Sequence, residues 1–198
     1  MARIKFTKNE LKRQKDSLTR FKRYLPTLML KKQQLQMEIR KINQTLDEKA
    51  KAQENLKKNM DSWIAVFGEK IDFSQFLKVK DIQTDKGNIA GIEIPIFKNI
   101  ELEILEYDLF KIPLWVDKAL ISLQQLLSLE AEIKILRTQK QLLNDELRLT
   151  SQRVNLFEKV KIPEAQNHIR TIKIYLGDQQ TAAVVRGKIS KNKIEKAS

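Results

Sequence analysis

The chain has 198 residues, 41% apolar and 32% charged, with five Gly and four Pro; that balance suits long helices with solvated outer faces better than a loop-rich globule. Cysteine is absent, which excludes a disulfide framework and any thiolate metal site and is compatible with a reducing compartment. Of the net charge of +13, residues 1–35 supply 11 Lys/Arg against Glu10 and Asp16 (+9), residues 168–198 supply 7 against Asp178 and Glu195 (+5), and residues 36–167 are left with −1.

Residues 1–62 read as one helix. From Ile4 to Trp63 the apolar residues keep a seven-residue register, Ile4, Leu11, Leu18, Leu25, Ile39, Leu46 and Met60 in one series and Phe21, Leu28, Leu35, Ile42, Leu56 and Trp63 in the other, filling 13 of 18 sites. A strict 3.5 repeat held this long predicts a supercoiled seam against a second helix, not the broader stripe of a globular helix. Pro26 removes a backbone hydrogen bond, so a kink or local break is expected near Tyr24 and Leu25.

Residues 63–113 change character, because the period falls to two and turn signals appear. They predict a small α/β base. Lys78 to Thr84 and Ile89 to Phe97 flank Asp85-Lys86-Gly87-Asn88, the expected turn of a β-hairpin, with Ile92, Ile94 and Ile96 on one face. Ile100 to Ile104 alternates as a further half-buried strand or extended segment. Trp63, Phe67, Phe73, Phe76, Tyr107 and Trp115 are the expected aromatic cluster closing the base.

Residues 114–198 follow Pro113 as a second helical segment. Leu126, Leu129, Ile133, Leu136, Leu143, Leu147, Val154 and Phe157 fill 8 of 11 heptad sites between 126 and 161, and Lys140, Thr150 and Lys161 take the others. Pro163 interrupts this seam, and Ala165, Ile169, Ile172 and Leu176 resume a stripe as far as Gly177. Thr181 to Val185 can continue as helix, and Lys188 to Ser198 reads as a frayed basic tail.

The short structured connection predicts that the two seams pair within one chain, as a long antiparallel two-helix coiled coil carrying the hairpin-bearing base. If Trp63 faces Leu114, opposed residue numbers sum to about 177 and everything after Gly177 overhangs. A helix of roughly 58 residues at about 1.5 Å each would run on the order of 85 Å. Both basic termini then share one end, where Arg13, Arg20, Lys22, Arg23, Arg170 and Lys173 are the candidate contact residues.

The chain lacks the residue patterns of a reactive site. His168 has no second ligand type at metal spacing, and Gly68, Gly87, Gly91, Gly177 and Gly187 form no phosphate-binding loop. Glu101, Glu103 and Glu106 read as the solvated side of a strand, so no catalytic, cofactor-binding or metal-binding residue is assigned. No stretch reaches the roughly 18 apolar residues of a membrane span, and Met1 to Glu10 lacks the apolar core of a signal peptide. A soluble cytoplasmic protein is expected. The basic end has three readings: a site for nucleic acid or anionic lipid, a solvated face, or the end of a shaft seated in a protein bearing.

The run Arg153-Val154-Asn155-Leu156-Phe157-Glu158-Lys159-Val160-Lys161-Ile162-Pro163 resembles the Arg-Val-Asn-x-x-Glu-x-x-x-x-Pro signature of the D subunits of V/A-type rotary ATPases. Thr7-Lys8-x-Glu10-Leu11, Leu28-x-Leu30-Lys31-Lys32, Ile169-x-x-Ile172-x-x-x-Leu176-x-Asp178 and Arg186-x-Lys188 are also similar to that family. Pro26, the run Lys31-Lys32-Gln33-Gln34, Gly177, Ala182 and Ala183 depart from its usual pattern and point to a divergent bacterial branch. The resemblance implies a non-catalytic rotor shaft whose paired termini enter the catalytic A/B hexamer. It also implies a small central-stalk protein, the F subunit, beside the coiled coil and a funnel-shaped subunit, above the membrane rotor ring, that receives the base. ATP chemistry would occur in the hexamer and be coupled by rotation to proton or sodium movement, with no cofactor, nucleic acid or membrane insertion for this chain. The F subunit is expected along 40–60 and 120–145. The rival reading is a basic coiled-coil adaptor for nucleic acid or acidic protein partners.

Overall fold

A computed structural model describes residues 4–67, 73, 76–105, 113 and 115–197, without the side chains of 62–67 and 197. Helix α1 spans Lys8–Phe67, strands β1 and β2 span Leu77–Ile89 and Ile92–Ile104, and α2 spans Trp115–Asn155. A π-turn, Leu156–Lys161, joins α2 to α3, Ile162–Ala197. The fold is mainly α, two long helical segments and one antiparallel hairpin. The chain divides into two compact units, one of Met1–Lys32 with Leu149–Ser198 and the other of Gln33–Arg148.

In the second unit the helices and the hairpin share two apolar cores. Leu35, Ile39 and Ile42 of α1 meet Leu143 of α2 and Ile94 of β2, with Leu46, Ile89, Ala90, Ile92, Leu136 and Leu147 packed around them. Leu35 and Leu143 are 0% exposed, so this cluster excludes water from the seam. The second core sets Leu77 of β1 against Val116 and Leu120 of α2, joined by Phe73, Phe76, Leu102, Trp115, Leu123 and Leu127. Lys49 of α1 pairs with Glu132 of α2 at 2.8 Å. Phe73 and Trp115 meet edge to face at 6.2 Å, which brings together the described part of the expected aromatic cluster. The Trp63 and Phe67 side chains, Tyr107 and the expected Trp63 to Leu114 pairing lie outside the described residues.

The hairpin turn is at Ala90-Gly91, not at Asp85-Lys86-Gly87-Asn88. Ile89 pairs with Ile92, and φ is +52° at Ala90 and +83° at Gly91, the double positive φ of a tight primed turn. Asn88 closes it by accepting the Gly91 N–H at 2.9 Å. Asp85 to Asn88 pair inside β1 instead, because each residue there carries a ladder or cross-strand role. Asp85 pairs with Lys98 at 3.1 Å, and Gly87 leaves room for Ile96, whose Cδ1 lies 2.5 Å from where a Cβ would stand. Ile100 to Ile104 is the far end of β2 and not a separate strand. Two register shifts, at Val79/Asp81 and Gln83/Thr84, interrupt the ladder; such irregularities raise local twist in a two-stranded ribbon.

Pro26 does not break α1. It lies on an exposed face, where water can reach the carbonyl its ring leaves without a donor, and the Thr27 hydroxyl donates to the Tyr24 carbonyl at 2.7 Å. The basic tail is also helical: α3 runs through Ala197, with Lys191 and Glu195 paired one turn apart and Lys196 at the favourable end of the helix dipole. From Gly177 to Lys196 every residue is exposed. Helix α1 crosses the expected boundary at residue 62, and the hairpin shares a unit with helical residues on both sides of it.

Candidate functional site

The unit containing both chain ends carries the candidate contact residues. Its α1 segment begins at Thr7, whose hydroxyl accepts the Glu10 N–H at 3.2 Å and so caps the helix. The α1 segment and α3 run antiparallel: Phe6 stacks on Tyr175 at 5.0 Å, and Phe21 stacks on Phe157 at 5.3 Å. Both pairs fall within about one helical turn of the expected pairing rule. Val154, Ala165 and Ile172 are buried in this unit, and Leu11, Leu18, Phe21, Leu28 and Phe157 are half-buried. In the other unit Leu35, Ile39, Ile42, Ile133 and Leu143 are buried, and Leu46, Leu126, Leu136 and Leu147 half-buried.

Arg13, Arg20, Lys22, Arg23, Arg170 and Lys173 are all exposed. Arg13 approaches Glu10 only to 3.9 Å, and Arg20 donates to the Ser17 hydroxyl at 3.3 Å, so their local partners hold them loosely. Asn9, Lys12, Arg13, Asp16 and Arg20 border a depression open to solvent. Such a surface can bear against a partner; it cannot seclude a reacting substrate from water. Of the signature residues, Val154 is buried while Arg153, Asn155, Glu158 and Pro163 are exposed around the π-turn.

Among the described residues no group of three His, Cys, Asp or Glu could hold a metal ion, and no helix is long and apolar enough to cross a membrane. His168 is half-buried on α3. Glu101 lies opposite Asp81 and accepts from the Gln83 amide, Glu103 lies opposite Lys78, and Glu106 is outside the described residues. Sequence reasoning missed the π-turn, the Phe6 to Tyr175 stack and the buried Gln139, whose amide donates to the Pro95 carbonyl and ties hairpin to α2. The polar Gln139 beside an apolar register carried no signal of its partner 44 residues away.

Antiparallel helical segments, a hairpin packed on the helices of one unit and an exposed basic surface on the other define a mainly helical, coiled-coil class of protein. Residues 10–192 match the family of ATP synthase D subunits. The chain is 54% identical over 196 residues to the V-type ATP synthase D subunit of Borreliella burgdorferi, covering 99% of this chain and 97% of that one. It is 34% identical to the protein of the same name from Chlamydia muridarum, covering 98% and 97%, and 31% identical to that of Chlamydia abortus, covering 98% and 95%. The chain belongs to the ATP synthase D-subunit family, in its V/A type.

Proposed function

We propose that this chain is the central rotor shaft of a V-type ATPase, a non-catalytic cytoplasmic subunit that couples ATP hydrolysis or synthesis in a catalytic A/B hexamer to proton or sodium transport by rotation. The observation that carries the reading is end-to-end similarity to proteins named as the D subunit of V-type ATP synthase, over 99% of this chain in the first case. The site chemistry agrees with it. A turning part must be held by contacts that break and reform, and exposed Arg13, Arg20, Lys22, Arg23, Arg170 and Lys173 offer weak, screened polar contacts where a dry apolar anchor would seize.

The paired termini would enter the hexamer, and an asymmetric surface there would meet each catalytic pair differently, so that each angle favours a different nucleotide state. The unit with the hairpin would face the funnel-shaped subunit. The F subunit would lie along 40–60 and 120–145, on a side the hairpin leaves open, since the hairpin tip occupies Leu35, Ile39, Ile42 and Leu143. Co-expression with the A/B pair and the F subunit, followed by size-exclusion chromatography, tests the assignment: one copy per complex is expected. Failure to enter the complex, together with salt-sensitive binding of the lone chain to DNA or RNA, would instead establish the adaptor reading.

A further inference from the structure

The unit that holds the chain ends contains a register fault. A seven-residue repeat continued from Val154 and Phe157 lands on Lys161, Glu164, His168, Thr171 and Tyr175. The residues turned inward are instead Ile162, Ala165, Ile169, Ile172 and Leu176, each one position later, with Ala165 and Ile172 buried while Glu164 and Thr171 are exposed. The segment between Phe157 and Ile162 therefore holds one residue more than the seam needs. The π-turn lies at that step, and the Ile162 N–H bonds to the Phe157 carbonyl, five residues back. A π-turn is the backbone form that absorbs a single extra residue without ending the helix.

We infer that Leu156–Lys161 is a torsional joint, in which the surplus residue lets α3 twist about its own axis relative to α2. One residue of α-helix corresponds to a rotation of about 100°, so complete conversion between π- and α-turn would turn α3 by that much, and partial conversion by less. The surroundings permit such twisting. No residue of the turn is buried, Leu156 and Val160 are 44% and 48% exposed, and the Lys161 to Glu164 ion pair spanning its end is solvated. The joint is held in place from both sides. Upstream, Phe157 is stacked on Phe21; downstream, Pro163 has no N–H to continue the α ladder, so the bulge cannot migrate into α3.

Deleting Glu158, an exposed residue of the turn, brings Ile162, Ala165, Ile169, Ile172 and Leu176 into a strict heptad with Val154 and Phe157. Amide hydrogen exchange on the full chain is expected to show faster exchange at 156–162 than in the flanking turns. The Glu158 deletion should abolish that difference and raise Tm. Pro163→Ala keeps the surplus residue but unpins it, and should spread the fast exchange over more than one turn. The functional consequence rests on the shaft reading: in the assembled ATPase the deletion should incorporate normally yet move fewer ions per ATP. Uniform protection through 150–170 in the parent chain, a lower Tm for the deletion, or a fully coupled deletion complex would overturn the joint, as would Pro163→Ala behaving like the deletion. A parent chain that fails to enter the complex would sink the shaft reading alone, since exchange and melting test the joint without it.

Discussion

Single side chains in the seam show where packing and polarity conflict. Thr150 occupies a heptad site and is 1% exposed, yet among the described residues its hydroxyl has no hydrogen-bond partner. A buried unsatisfied polar group costs about 1–3 kcal/mol, so Thr150→Val, which keeps the shape, should stabilise by about 1 kcal/mol and raise Tm by roughly 2–4 °C in a thermal melt. An unchanged or lower Tm would mean that the hydroxyl is satisfied in solution. Asp85 is a surface counterpart. Hydrogen bonding from Lys98, reinforced by the Lys86 backbone N–H and the Lys98 charge, holds its carboxyl below the usual aspartate range. Because the folded value is the lowered one, the pair's contribution is present above the ordinary carboxylate pKa and is lost as pH falls through the lowered value. Carboxyl NMR titration should therefore give Asp85 a higher midpoint in Lys98→Ala than in the parent; equal midpoints would exclude the pair in solution. The Thr at 150 was visible in sequence as a gap in the seam, whereas the Asp85 partner was hidden because the turn was expected at Asp85 itself.

Whole elements were legible where periodicity was long. The heptads of α1 and α2 are set by side chains repeating over many turns, so Leu35, Ile42 and Leu143 could be placed inside before any fold was known. The hairpin turn was displaced because Asp-Lys-Gly-Asn is a strong local turn signal, while the choice of Ala90-Gly91 depends on cross-strand register and on burying Ile94 against α1 and α2. Tertiary contact decided between two local options. The same competition explains α3: polar, basic composition suggested fraying after Lys188, yet one-turn spacing of Lys191 and Glu195 and the absence of any breaker after Gly187 keep it helical. If the hairpin's position depends on those apolar contacts, Ile94→Ala should cost about 2–4 kcal/mol by chemical denaturation, as for other buried Ile truncations. Ile96→Ala, on a side chain 43% exposed, should cost much less; equal losses would show that the hairpin does not pack by this face.

At the scale of the molecule, charge and apolar packing are distributed differently. The terminal segments, 1–35 and 168–198, carry +14 of charge against −1 for residues 36–167, while the two large apolar clusters lie within residues 35–147. On the proposed shaft reading, stability and contact with the hexamer are therefore separable by mutation. Arg13, Arg20, Lys22 and Arg23 are exposed, and Arg13 and Arg20 are held only loosely by Glu10 and Ser17, so replacing all four with Gln should shift folding stability little, each such surface change being worth about 0.5 kcal/mol or less. Co-purification with the complex through the hairpin-bearing unit should persist. What should fall is the number of ions moved per ATP hydrolysed, because the hexamer would lose the contacts through which angular position is felt. Salt should act in the same direction: the Debye length shortens from about 10 Å at 0.1 M to about 3 Å at 1 M, which screens the same contacts in the parent chain. The parent should therefore lose coupling as salt rises, and the Gln variant should be nearly insensitive to it. Parent and variant complexes that couple equally at low salt would show that the basic surface only keeps the ends solvated.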